Sequence, residues 1–166
     1  MVIRLFFIFV VFAFLCKPTQ AQNKAHVETY AWLKEILNQK NDTTYVLNFW
    51  ATWCLPCVEE LPALEQFSQA HKKEKVRVIL VSLDFVRKLD ITLQPYINKQ
   101  KIKTEVVLLN EPNYNSWINK VDKHWGGSIP CTLVWNAEHH FRQLYEEQLS
   151  TNHLEELLIS STKKNK

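Results

Sequence analysis

Two cysteines separated by two residues, Cys54 and Cys57, stand where an apolar extended run gives way to a helical repeat. The run at 45–50 lacks the strict alternation of a half-exposed strand, which predicts a central strand buried on both faces. After the pair, Val58, Leu61, Leu64 and Phe67 recur roughly one turn apart, the spacing of an amphipathic helix. The pair therefore lies at a strand-to-helix turn. The first N–H groups of a helix have no internal partners, and the helix dipole puts partial positive charge there. Both favour a thiolate over a thiol, and the thiolate is the species that attacks a disulfide. Half of a zinc site and a pair of inert buried cysteines are the alternatives. A zinc site wants a second Cys-x-x-Cys or a spaced His pair, and His139 and His140 are adjacent. Aromatic neighbours and the strand-to-helix setting favour redox chemistry over both.

Phe49-Trp50-Ala51-Thr52-Trp53-Cys54-Leu55-Pro56-Cys57, followed by Glu60-Leu61-Pro62, resembles the thioredoxin superfamily. More narrowly, it is similar to the TlpA/ResA/DsbE-like extracytoplasmic thiol–disulfide oxidoreductases, with the likeness running from Thr44 to Leu158. The resemblance implies a thioredoxin fold: a central mixed β-sheet flanked by helices, here with an N-terminal helix and a TlpA-like insertion over 89–121. It implies that Ile129-Pro130 is the cis-proline loop facing the cysteine pair. The Ile129 backbone would then pair with an extended substrate segment. It also makes Glu60, three residues after Cys57 and so on the same helix face, a candidate acceptor for the Cys57 proton. Thioredoxin commonly carries a buried Asp where this chain has Asn48, whereas TlpA/ResA-like members often share the Asn.

Residues 1–21 read as a secretory signal, with Arg4 ahead of an unbroken apolar run of eleven residues and Thr19-Gln20-Ala21 before a cleavage point at Gln22. That run is short of the ~20 residues needed to span a bilayer. Retention as an anchor is the alternative, and Leu15 ahead of Cys16 argues against lipidation. Removal of Arg4 and Lys17 lowers the formal charge from +3 to +1, which gives no basic excess for nucleic acid. Residues 22–166 form the expected thioredoxin-like domain. Export places it in an oxidising periplasm or cell envelope. Cys54, Cys57 and Cys131 make an odd number there, a poor fit to a purely structural disulfide framework.

Further along, periodicity predicts a helix over 27–39 with Val27, Tyr30, Leu33 and Leu37 on one stripe, and strands over 76–83 and 106–109. It predicts helices over 89–101 and 112–121, a hairpin of 131–135 with 141–146, and a last helix capped by Ser150 or Thr151. Pro62 is expected to kink its helix rather than end it. Gly126 and Gly127, the chain's two glycines, suit a tight path into the Ile129-Pro130 loop. The tail from Ser160 is polar and basic and is expected to fray. Cys131 reads as a buried thiol, with a third thiol that relays a disulfide as the sharper alternative.

The function expected is reduction of disulfides in envelope proteins by a monomer. Cys54 is the nucleophile and Cys57 the resolving thiol, Trp53 borders Cys54, and Ile129 and Pro130 guide the substrate. No metal or organic cofactor is expected, so electrons must come from an upstream membrane thiol donor. Leu55-Pro56 places no His or Lys between the cysteines, which argues for a reducing couple rather than a strong oxidant. A copper-binding chaperone on the same fold is the alternative, with thiolates for Cu(I) and His124, His139 or His140 as a further ligand. The Pro-x-x-x-Thr-x-x-Cys pattern of peroxiredoxins is absent. An intact cysteine pair argues against a degenerate binding module.

Overall fold

The structure, a computed structural model, describes residues 23–163. The expected signal segment at 1–21 and Cys16 lie outside the described residues. The run at 45–50 becomes the strand Thr44–Trp50 (β2), buried along its whole length. Around it, His26–Glu28 (β1), Val76–Ser82 (β3), Glu105–Leu109 (β4), Cys131–Asn136 (β5) and Phe141–Tyr145 (β6) complete a six-stranded sheet in the order β1-β4-β3-β2-β5-β6. The pairs β1–β4, β4–β3 and β3–β2 are parallel. The pairs β2–β5 and β5–β6 are antiparallel. The helices are Tyr30–Leu37 (α1), Leu55–Ala70 (α2), Gln94–Gln100 (α3), Ile118–Val121 (α4) and Thr151–Thr162 (α5). This is the mixed sheet flanked by helices that the thioredoxin-like motif implies.

Successive side chains of a strand point to opposite faces, so β2 feeds two apolar layers. Val46 and Trp50 pack with Leu61, Leu64 and Phe67 of α2, Leu93 and Ile97, and Leu154 and Leu157 of α5. Tyr45, Leu47 and Phe49 pack with Leu33 and Ile36 of α1, and with Trp117, Val121 and Trp125. The helix α2 runs through Pro62, as expected. A π-helical turn, Leu89–Leu93, leads into α3, with Pro95 in the first turn of that helix, where a missing N–H costs little.

Three expectations are corrected. Val27 is not on the helix stripe. It lies in β1, opposite Leu108 of β4, and is 42% exposed. The i, i+3 spacing of Val27 and Tyr30 was coincidental, and Leu33 and Ile36 are the residues α1 buries. The helix expected over 112–121 is only a 3₁₀ turn, Tyr114–Ser116, and the single turn of α4, because Trp117 at φ −134° interrupts it. Trp117, Val121 and, in part, Ile118 still face inward.

The third correction concerns the tail. Ser150 caps α5 by accepting the His153 N–H at 3.2 Å, and the helix runs on to Thr162. Within it Ser161 is fully buried, its hydroxyl 2.8 Å from that of Thr44. Ser161→Ala would remove one partner of the buried Thr44 hydroxyl, which is expected to cost about 1–2 kcal/mol. Urea unfolding measures it; a tail that frayed at Ser160 would leave the midpoint unmoved.

Candidate active site

At the C-terminal end of β2 the chain must turn sharply into α2. The Leu83 N–H donates to the Trp50 carbonyl at 2.8 Å, and the Cys54 N–H donates to the Ala51 carbonyl at 3.1 Å. Below that turn lies the buried carboxylate of Asp84. It accepts from the Thr52 N–H at 3.0 Å, the Thr52 hydroxyl at 2.6 Å and the Ser82 hydroxyl at 2.8 Å. Two residues after Thr52, Cys54 takes the N-cap position of α2 with an extended backbone.

The two sulfurs form a disulfide. The Cys57 N–H donates to Cys54 Sγ at 3.3 Å, so an orphan helix N–H is aimed at this sulfur. After reduction the same N–H and the α2 dipole stabilise a Cys54 thiolate. Cys57 is completely enclosed, while Cys54 keeps 8% of its surface open. Trp53 and Leu55 on either side of Cys54 stand out from the surface at 64% and 69% exposure.

The Ile129-Pro130 peptide is cis, as the resemblance implies. Pro130 is buried and the half-buried Ile129 brings its carbonyl oxygen to 3.7 Å from Cys54 Sγ. Gly127 precedes it with φ 89°, a left-handed conformation that suits glycine. An added Cβ there would also meet Ile118 at 3.1 Å.

Glu60 lies one turn after Cys57 and is buried with it. Its Oε1 accepts from Asn48 Nδ2 at 2.6 Å and its Oε2 from the Leu149 N–H at 2.9 Å. Asn48 Nδ2 also donates to the Thr132 hydroxyl at 2.9 Å. Asn48 Oδ1 is buried with no partner among the described residues. Burial pushes the Glu60 carboxyl above the usual carboxylate range, against the opposing pull of the two N–H donors. A buried carboxyl one turn from a thiol is a candidate for proton transfer.

The fold thus gathers Cys54, Cys57, Glu60, Ile129 and Pro130 at one end of the sheet, with Trp53 exposed on the rim. Cys131 is not among them. Its register opposite Phe49 places it on the sheet face that packs against Trp117 and Trp125, whereas Cys54 and Cys57 belong to the α2 face. The ambiguity over its orientation therefore resolves to a buried thiol away from the pair, and burial pushes its pKa well above the ordinary thiol value. His139 and His140 sit past Asn136, at the far end of β5 from the pair. His124 lies 3.3 Å from Asp122, Nδ1 to Oδ1.

Two features escaped the sequence reading. Asp84 is one. A carboxylate ending a buried strand beside the cysteine strand was its only signal. The other is the segment 146–149. Glu146 accepts from the Gly126 N–H at 3.1 Å and from the Ser128 hydroxyl, Gln148 donates to the Pro56 carbonyl at 2.7 Å, and Leu149 donates to Glu60. The Ser128 hydroxyl holds the Glu146 carboxyl below the usual carboxylate range.

Comparison with known proteins follows the same outline. Residues 16–146 match the AhpC/TSA family. The sporulation thiol-disulfide oxidoreductase A of Bacillus subtilis is 32% identical over 63 residues, covering 38% of this chain and 38% of that protein. The thiol-disulfide oxidoreductase ResA of Halalkalibacterium halodurans is 22% identical over 112 residues, covering 68% of this chain and 58% of that protein. Both matches span less than two thirds of the relative's length. The crystal structure of a thiol:disulfide interchange protein of the thioredoxin family from Chlorobium tepidum superposes with a TM-score of 0.61 at 19% identity, covering 78% of this chain and 85% of that one. That likeness shows the fold. With a family match that takes in the cysteine pair, the cis-proline loop and the β5–β6 hairpin, the chain belongs to the AhpC/TSA family, with a thioredoxin-like fold.

Proposed function

We propose that this protein is a thiol–disulfide oxidoreductase that reduces disulfides of proteins in the periplasm or cell envelope through Cys54 and Cys57. The observation that carries the reading is the Cys54–Cys57 disulfide on the N-terminus of α2, with only Cys54 open to solvent and facing the Ile129 carbonyl. The names of the relatives above agree with it. Residues 1–21 would be the export signal and 22–166 the working domain, acting as a monomer.

In the reduced protein the Cys54 thiolate attacks one sulfur of the partner's disulfide. A mixed disulfide forms and the partner's other sulfur leaves as a thiolate that takes up a proton. Cys57 then gives its proton to Glu60 and attacks Cys54 Sγ. The Cys54–Cys57 disulfide forms and the partner's second thiolate leaves. Two electrons have passed to the partner, and a membrane-held dithiol donor must return two to the pair. Trp53 and Leu55 would hold apolar side chains of the partner, and Ile129 its backbone.

The reduction potential of the purified protein tests this, measured in a dithiothreitol redox buffer with a Cys131→Ala control. A value near that of thioredoxin, about −270 mV, is expected. A value near that of DsbA, about −120 mV, would make the protein a disulfide donor, and the absence of a reversible couple would overturn the redox reading.

A further inference from the structure

The loop that carries Ile129 is held from two sides. From inside, the buried Trp125 packs on Phe49 and Trp117 with ring centroids 4.4 and 5.6 Å away, and its indole N–H donates to the Ser128 carbonyl at 2.9 Å. From outside, the Glu146 carboxylate accepts both the Gly126 N–H and the Ser128 hydroxyl. Between these anchors stand Gly126 and Gly127, the residues whose backbone loses most freedom on ordering. Glu146 also begins a strap to the opposite side of the cysteine pair. Two residues on, Gln148 Nε2 donates to the Pro56 carbonyl at 2.7 Å and contacts Glu59 Oε2 at 3.3 Å, both in the first turns of α2. Next, the Leu149 N–H donates to Glu60. The segment 146–149 thus bonds through Glu146 to the Ile129 loop and through Gln148 and Leu149 to the cysteine-bearing helix.

We infer that Glu146 is a positioning residue that holds the Ile129 edge beside Cys54 in the geometry an extended polypeptide requires, and so favours protein disulfides over small ones. This rests on the thiol–disulfide function proposed above. A protein segment must lie along Ile129 while its disulfide meets Cys54. A small disulfide needs only to reach Cys54. Ordering the loop before binding removes a cost that the polypeptide would otherwise meet on docking. The two bonds to Glu146 are charge-assisted, the stronger kind.

The test compares the full chain with Glu146→Ala, Glu146→Gln and Ser128→Ala, using insulin as the protein disulfide and hydroxyethyl disulfide as the small one, with dithiothreitol at fixed concentration returning electrons to the Cys54–Cys57 pair and its uncatalysed rate subtracted. Glu146→Ala is expected to raise KM for insulin about fivefold relative to KM for hydroxyethyl disulfide. Ser128→Ala is expected to move this ratio in the same direction without touching the strap. Glu146→Gln, which keeps an acceptor for the Gly126 N–H, restores most of it. If the two KM values move together, or neither moves, Glu146 has no positioning role. If the unsubstituted protein reduces neither probe, the proposed function itself is overturned and the inference falls with it. Activity on hydroxyethyl disulfide alone would overturn the preference while leaving the thiol–disulfide reading intact.

Discussion

Cys54→Ser is expected to lower disulfide reduction by about 10⁴-fold or more, and Cys57→Ser to stop the reaction after one attack. The asymmetry follows from exposure. Cys57 has no surface open to a partner, and Cys54 has its free edge beside the Ile129 carbonyl. Only Cys54 can reach a folded protein's disulfide. Its thiolate is also the one that receives the Cys57 N–H at the start of α2, and a serine hydroxyl there has no comparable tendency to ionise. Without Cys57 the mixed disulfide has no thiol among the described residues placed to resolve it, because Cys131 lies across the sheet. Mass spectrometry of Cys57→Ser mixed with an oxidised protein should therefore find one partner bound per chain, through Cys54. Residual turnover in Cys54→Ser, or a partner attached at Cys131, would overturn these assignments. Cys131→Ala is expected to turn over like the unsubstituted protein.

The parts of this site that were legible in the sequence are those encoded by neighbours in the chain. An apolar run, two cysteines and an apolar helical repeat lie within residues 45–67, so β2, α2 and the turn between them could be read directly. The cis bond at Pro130 could be anticipated only through resemblance, since an X–Pro pair by itself favours trans. What escaped depends on pairings between distant segments. The face taken by Cys131 is set by its register against Phe49, and alternation alone leaves both faces open. Asp84 reaches Thr52 across 32 positions, and Leu149 reaches Glu60 across 89. Nothing local marks such a residue as part of a site. Val27 and the tail failed for a related reason. A three-residue edge strand carries too few positions to show a period, and the hydroxyl of Ser161 looks polar until its buried partner on Thr44 is known.

Glu60→Gln is expected to slow turnover at neutral pH by about 10²-fold, the lower end of what a positioned general base contributes, while leaving the fold intact. The surroundings accommodate the amide in part. The Leu149 N–H can still donate to the glutamine oxygen. A half-turn of the Asn48 amide brings its unpartnered Oδ1 to face the new NH₂ group, and the Thr132 hydroxyl can then donate to that oxygen. The flip carries the Asn48 NH₂ to where its oxygen has no partner, which is expected to cost about 1–3 kcal/mol of stability, so turnover is compared where both proteins are folded. The pH dependence separates the two roles further. Because burial raises the folded pKa of Glu60 above its unfolded value, its link to folding favours the folded state at low pH. That contribution is fully present below the unfolded pKa and is lost as pH rises through the folded one. Glu60→Gln has no such loss, so its stability relative to the unsubstituted protein is expected to improve as pH rises through this window. Its resolving step should also lack the rise in rate that accompanies ionisation of Glu60. Stopped-flow resolution of a preformed mixed disulfide across this pH range measures the rate, and urea unfolding over the same range measures the stability. A variant with an unchanged rate profile but altered stability would reduce Glu60 to a buried tether between α2, Asn48 and Leu149. An altered rate profile makes it the base that frees Cys57.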